Sequence, residues 1–151
     1  MNLSKQNPLQ ILLADDDEAD RLLFMEGFGE LKIKTIVHSV KDGVQLMERL
    51  NDPKNLLPDL LFLDLNMPRK NGLQCLKEIR NNPVLKDIAV AIYSTSDSEK
   101  DVDDTFIYGA NIYVHKPNDF KKLKKLLEKA VVNTLFYKDR KVKKENFLMR
   151  I

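Results

Sequence analysis

The sequence has little of several residue types and patterns, and each shortage excludes a class of protein. One cysteine, Cys75, stands in 151 residues, so no intramolecular disulfide can form and nothing indicates an oxidising compartment. There are five glycines but neither a G-x-G-x-x-G nor a G-K-[ST] motif, which argues against a nucleotide-binding protein. No apolar run approaches about 18 residues, and residues 1–8 lack the apolar core of a signal peptide. We therefore expect a cytoplasmic protein that makes no membrane contact.

The chain also lacks a strong excess of charge of either sign. Its net charge of +2 indicates neither a nucleic-acid-binding protein nor one that binds an anionic membrane. The charge is unevenly placed, however, since residues 118–151 carry eleven Lys or Arg against four Asp or Glu. The length suits one folded domain. We predict an N-terminal extension over 1–8, the domain over 9–136 and a basic tail over 137–151.

The stretch from Pro58 to Gly72 contains the most informative pattern. An apolar run, Leu60–Leu63, lies between two prolines and is followed by a carboxylate, Asp64. Runs of about 4 to 8 apolar residues with such boundaries are typical of buried strands. Asp64 is therefore predicted at the carboxyl end of a strand, the edge at which open α/β sheets bind ligands.

A second acidic cluster follows another short apolar run. Leu9–Ala14 precedes the acids Asp15, Asp16, Asp17 and Glu18. If the two strands are parallel neighbours, carboxylates from both converge, and a cluster of oxygen ligands with few His or Cys nearby favours Mg²⁺ over zinc. Taken alone, these acids are equally typical of a helix N-terminus.

Three further apolar runs complete the pattern. Thr35–Val40 is rich in β-branched residues, Ile88–Tyr93 ends in the hydroxyl residues 94–96, and Ile112–His115 ends in a Lys-Pro pair. Between the runs, and after the last one, lie segments with apolar residues at helical spacing. Five alternations of strand and helix predict a parallel sheet with helices on both faces.

The ordered strand ends resemble the receiver domain of two-component response regulators, the phosphoacceptor half of histidine-to-aspartate signalling. The resemblance covers Leu9 to Leu135. It implies a flavodoxin-like α/β fold, a doubly wound five-stranded parallel sheet of order 2-1-3-4-5 with five helices. Within the family, the chain is similar to single-domain regulators of the chemotaxis type and to those paired with phytochrome-like or hybrid kinases.

The resemblance also implies a role for several residues. Asp64 is the expected phosphoacceptor. Asp15 and Asp16 are the expected acidic pair, which would hold Mg²⁺ together with Asp64 and the backbone carbonyl of Asn66.

Three more residues take roles at the other strand ends. Lys116 and Ser94 would direct an ammonium and a hydroxyl at phosphoryl oxygens, and Tyr113 would be the switch aromatic that moves inward on phosphorylation. Thr95 competes with Ser94, because a one-residue slip exchanges their faces. The peptide bond between Lys116 and Pro117 is expected to be cis, which would aim the lysine inward.

We therefore expect a single-domain response regulator rather than an enzyme with a separate substrate. Its expected partners are a sensor histidine kinase or phosphotransfer protein and a downstream protein target. One alternative is a Mg²⁺-dependent aspartyl-phosphate phosphatase of the haloacid dehalogenase type, but Asn66 stands where that class needs a second acid.

A second alternative is a DNA-binding regulator that uses the basic tail. Residues 137–151 are too few for a winged-helix module, and nucleic acid is not an expected partner. The apolar residues of this tail predict instead that it contributes to self-association as a homodimer or to docking on a kinase or target protein.

Overall fold

The computed structural model describes residues 7–136 and 144–149. Strands and helices alternate along the chain as β1 Leu9–Ala14, α1 Glu18–Gly29, β2 Thr35–Val40, α2 Gly43–Asn51, β3 Leu60–Leu63, α3 Gly72–Arg80, β4 Ala89–Ser94, α4 Glu99–Ile107, β5 Ile112–His115, α5 Phe120–Val131, α6 Lys144–Phe147 and β6 Leu148–Met149. A π-helical turn, Val132–Phe136, continues α5 directly. The sequence predicts β4 one residue too early, and the other four predicted strands have the observed bounds.

The strands form one six-stranded sheet of order β2-β1-β3-β4-β5-β6. All five pairings are parallel. The first five strands have the order 2-1-3-4-5 that the resemblance implies, which confirms the flavodoxin-like fold. The sixth strand is an addition that the sequence patterns do not predict.

Helices cover both faces of this sheet, and each face has its own core layer. Helices α1 and α5 pack on one face through side chains such as Phe24 and Leu127. Helices α2, α3 and α4 pack on the other, with Leu46 and Leu76 fully buried there. All four residues of β3 are buried, as expected for a central strand covered on both sides. Within the described residues, no helix has the length and apolarity needed to cross a bilayer.

The turn from β3 into α3 is unusually close, and a glycine makes it possible. The Gly72 N–H donates a hydrogen bond to the Leu65 carbonyl at 2.9 Å. A Cβ atom at position 72 would overlap the carbonyl oxygen of Asp64. Only glycine lets the start of α3 approach the end of β3 this closely, so Gly72 fixes the backbone that carries Asp64.

Part of the predicted basic tail packs against the domain. Phe147 and Met149 are buried, and β6 pairs with β5 in the register Tyr113↔Leu148 and Val114↔Met149. The apolar residues of this segment therefore have a partner surface within the same chain. The homodimer and the docking on other proteins that the sequence suggests stay predictions.

Candidate functional site

Three charged side chains follow three strands of the sheet at the same edge. Asp15 comes directly after β1, Asp64 after β3 and Lys116 after β5. Side chains along a strand alternate between the two faces, so each charged residue shares a face with the residue two positions before it. Those three earlier residues all belong to the core layer beneath α1 and α5: Leu13, Phe62 and Val114. The alternation therefore directs all three charged side chains to one side.

Lys116 is the centre of this group. Its Nζ donates to Asp15 Oδ2 at 2.8 Å, to Asp20 Oδ2 at 2.9 Å and to Asp64 Oδ2 at 3.1 Å. The side chain is only 7% exposed, and its three N–H donors match three carboxylates. To reach them it passes over β4, where its ammonium lies 5.1 Å from the centre of the Tyr93 ring.

The peptide bond after Lys116 is trans, because the described residues contain no cis peptide bond. The expectation of a cis bond before Pro117 is therefore wrong. The lysine reaches the three carboxylates without it, since its long side chain spans the distance across β4.

Burial and charge shift the pKa values of the two central groups. Burial raises the pKa of Asp64 to about 6, the attraction of Lys116 opposes this shift and the negative charge of Asp15 adds to it. Burial alone would lower the pKa of Lys116. Hydrogen bonds to Asp15 and Asp20, with the charge of Asp64, outweigh burial and raise it. At neutral pH the lysine is therefore a cation, and the neighbouring Asp64 carboxyl loses its proton at a higher pH than an ordinary aspartic acid does.

The predicted metal ligands Asp15, Asp16 and Asp64 lie together. Each offers a carboxylate oxygen, and these oxygens all lie within 4.8 Å of one another. Asp15 and Asp64 are buried, whereas Asp16 is exposed. Three hard oxygen donors with one side open to water suit Mg²⁺, which keeps several of its waters when it binds. The residues present therefore fit a magnesium ion.

Asn66 lies in the turn after β3. Its N–H is 3.4 Å from Asp64 Oδ1, and the residue is exposed. The proposed contact of its carbonyl with a metal stays a prediction.

The capping interpretation of the acidic cluster after β1 applies to one residue of that cluster. The Asp17 side chain accepts a hydrogen bond from the Asp20 N–H at 3.0 Å and caps α1. The Asp17 N–H in turn donates to Asp15 Oδ1 at 3.0 Å. The capping role is thus filled by Asp17, which leaves Asp16 free of it.

The end of β4 distinguishes Ser94 from Thr95. Ser94 is 0% exposed, and Thr95 is exposed. Ser94 Oγ accepts a hydrogen bond from the Ser96 N–H at 3.1 Å, and its carbonyl accepts one from the Lys116 N–H at 2.9 Å. A hydroxyl that accepts from the backbone keeps its own proton for donation.

Tyr113 occupies an inward position. The side chain is 0% exposed, and its hydroxyl donates to the Ser96 carbonyl at 2.8 Å. The sequence-based expectation is that Tyr113 moves inward on phosphorylation. In this structure the Tyr113 ring is already buried, so this structure is not the starting state of an inward movement.

Two residues of the site are missing from the sequence-based prediction. Asp20 lies in the first turn of α1, where an acid is commonplace, and nothing in its spacing shows that it faces Lys116. Tyr93 is on β4, between the strands of Asp64 and Lys116, and shares its core layer with Phe62. Strand alternation could have placed that ring beneath the lysine.

The raised pKa of Asp64 predicts how stability depends on pH without metal. The folded value of about 6 lies above the ordinary 3.8, so folding favours the protonated carboxyl. This stability is present below the unfolded pKa and is lost as pH rises through about 6. The neutral side chain of Asp64→Asn has no such loss. In EDTA, the free energy of unfolding of this variant should therefore rise relative to that of wild type by up to about 3 kcal/mol as the pH increases from 4 to 7. Denaturant unfolding at both pH values measures this, and a constant difference between the proteins contradicts it.

Comparison with known proteins agrees with this geometry. The response regulator receiver domain model matches residues 11–128. Response regulator Rcp1 of Synechocystis sp. (strain ATCC 27184 / PCC 6803 / Kazusa) is 37% identical over 131 residues, covering 80% of this chain and 85% of that protein.

Two solved structures extend the comparison. The Mn²⁺-bound form of Rcp1 superimposes with a TM-score of 0.76 at 31% identity, covering 90% of this chain and 99% of that one. The phosphorylated cyanobacterial phytochrome response regulator RcpA also gives 0.76, at 32% identity and 83% and 93% coverage. These matches confirm the resemblance drawn from the strand ends, and the chain belongs to the response regulator receiver domain family.

Proposed function

We propose that the chain is a single-domain response regulator whose Asp64 accepts a phosphoryl group from a phosphohistidine of a sensor histidine kinase or phosphotransfer protein. The observation that carries the proposal is the contact between the buried Asp64 carboxylate and Lys116 Nζ at 3.1 Å, beside Asp15 and Asp16. A carboxylate oxygen attacks phosphorus, the P–N bond breaks and its electron pair stays on the imidazole. Asp64 becomes an acyl phosphate.

The other side chains neutralise the oxygens of the transferred group. Lys116 directs its ammonium at one phosphoryl oxygen, exchanging its bond to Asp64 for it, and the Ser94 hydroxyl donates to another. Phosphoryl transfer needs little from a protein beyond such positioning and charge. The chain is therefore a phosphoacceptor that assists its own phosphorylation and dephosphorylation, not an enzyme with a separate substrate.

The proposal assigns a magnesium site to Asp15, Asp16 and Asp64, with the Asn66 carbonyl as a further ligand. Bound Mg²⁺ supplies positive charge that offsets the carboxylates and the phosphoryl oxygens. Asp16 faces solvent and leaves the entry path open, whereas Asp15 is buried and held by Lys116. We propose that this reaction takes place in the cytoplasm, the compartment that the sequence predicts.

Ser96 connects the site to the surface formed by α4 and β5. Its N–H donates to Ser94 Oγ, its carbonyl accepts from the Tyr113 hydroxyl, and its Oγ donates to Asp101 Oδ2 in α4 at 2.6 Å. If Ser94 turns toward a phosphoryl group on Asp64, Ser96 loses one of these three contacts and the loop must shift. The surface formed by α4 and β5 then changes, and a downstream target protein can bind the changed surface.

The experiment that tests the proposed function is incubation of the full chain with acetyl phosphate and either Mg²⁺ or EDTA. We expect intact mass to show one added phosphoryl group with Mg²⁺ and none with EDTA. Equal labelling in both, or none with Mg²⁺, contradicts the proposal.

Magnesium should also stabilise the fold, because it offsets the repulsion among the three carboxylates. At about 100 times its dissociation constant, Mg²⁺ should add roughly 2.7 kcal/mol to the free energy of unfolding. Asp16→Asn should lose most of this gain and be more stable than wild type in EDTA. Asp87→Asn, at an exposed position in the loop before β4, is the control and should respond to Mg²⁺ as wild type does. Denaturant unfolding with and without Mg²⁺ measures the stability of all three proteins. If Mg²⁺ does not change the stability of wild type, the assignment of the magnesium site is wrong.

A further inference from the structure

The sixth strand belongs to a segment that lies on the edge of the sheet nearest the switch residue. We name residues 144–149, which comprise α6 and β6, the C-terminal arm. The arm contributes to both core layers, since Phe147 belongs to the layer with α4 and Met149 to the layer with α5. At the β5 edge, the arm therefore packs against both faces of the sheet rather than against one.

Phe147 is the anchor of the arm. The side chain is 0% exposed, and its ring lies edge-on to Phe106 of α4 at 5.2 Å and to Tyr113 of β5 at 6.2 Å between ring centres. Aromatic pairs at these separations and tilts attract beyond their buried area. One side chain of the arm thus contacts the two elements whose surface is proposed to change on phosphorylation.

The contact with Tyr113 is specific to its inward position. In that position the Tyr113 ring meets Phe147 and its hydroxyl bonds to the Ser96 carbonyl. Rotation of the ring toward solvent would break both contacts. The arm therefore favours the inward position, and the inward position favours the docked arm.

We propose that the C-terminal arm is an intramolecular ligand of the α4–β5 face that holds Tyr113 inward. The proposal stands on the ring contacts of Phe147 with Phe106 and Tyr113, and on the hydrogen bond that the inward Tyr113 donates to the Ser96 carbonyl. It does not depend on phosphorylation of Asp64.

The test concerns the arm itself, in the full chain. Phe147→Ala should lower the amide hydrogen-exchange protection of the arm by about 100-fold, because it removes a fully buried ring. It should also shift the NMR signal of the Tyr113 ring. Asn146→Ala, at an exposed position in the same arm, is the matched control and should leave both readouts unchanged.

The central strands distinguish local undocking from general destabilisation. We expect amides of β1 and β3 to keep their protection in Phe147→Ala. An equal loss of protection throughout the sheet, or an unchanged Tyr113 signal, overturns the proposal. Arm protection that depends on protein concentration also overturns it, since the arm would then dock on a second copy.

Discussion

Asp64→Asn is expected to abolish labelling of the chain by acetyl phosphate and Mg²⁺. The amide that replaces the carboxylate is neutral and is a poor nucleophile, so no acyl phosphate can form. We expect the labelling rate to fall by more than roughly 1,000-fold, as for the loss of other catalytic nucleophiles. Intact mass spectrometry over a time course measures the rate.

The matched control for this experiment lies at the other end of the same strand. Asp59 is exposed and its Oδ2 accepts a hydrogen bond from the Gln10 N–H at 2.8 Å. Asp59→Asn makes the same chemical change before β3 that Asp64→Asn makes after it, and it should label at the wild-type rate. If Asp64→Asn labels as fast as this control, the assignment of the phosphoacceptor is wrong.

Lys116→Met should have the second largest effect. It removes the ammonium from three carboxylates, of which those of Asp15 and Asp64 are nearly inaccessible to water. Removing one partner of a buried ion pair costs about 3–5 kcal/mol, because it leaves a buried charge without compensation. Labelling should also slow by roughly 100-fold, the usual cost of losing one donor to a developing negative charge. Denaturant unfolding at pH 7 in EDTA and the labelling time course measure the two effects.

Two further variants identify the cause of the stability loss. Lys124→Met breaks an exposed ion pair, Lys124 Nζ to Glu30 Oε1 at 3.0 Å, and should cost less than about 1 kcal/mol. Asp20→Asn in the Lys116→Met background removes one of the three uncompensated charges and should recover part of the loss. If Lys116→Met costs no more than Lys124→Met, the lysine is not the counterion of the site.

The sequence predicts where the charged side chains Asp15, Asp64 and Lys116 lie, because strand geometry determines their positions. Asp15, Asp64 and Lys116 each follow a short buried run by one residue, and parallel strands bring their carboxyl ends to one edge. The first five strands and their order follow from the same alternation together with the family resemblance. These features depend on local pattern and chain connectivity, which a single sequence contains.

Other features depend on contacts between residues far apart in the chain. Asp20 meets Lys116 across 96 positions, and no local pattern marks that pair. Phe147 belongs to the basic tail, whose apolar residues predict contacts with another protein, yet its ring packs against residues of α4 and β5 of the same chain. The inward position of Tyr113 depends on that ring and on the Ser96 carbonyl, so it is not predictable from β5 alone.

The measurement that tests the central claim most directly is the location of the phosphoryl group on the full chain. After labelling with acetyl phosphate and Mg²⁺, borohydride reduction converts an aspartyl phosphate to homoserine, and peptide mass spectrometry finds its position. Our account predicts homoserine at position 64 alone, and none when EDTA replaces Mg²⁺. Homoserine at position 15 or 16, or at position 64 regardless of metal, would contradict it.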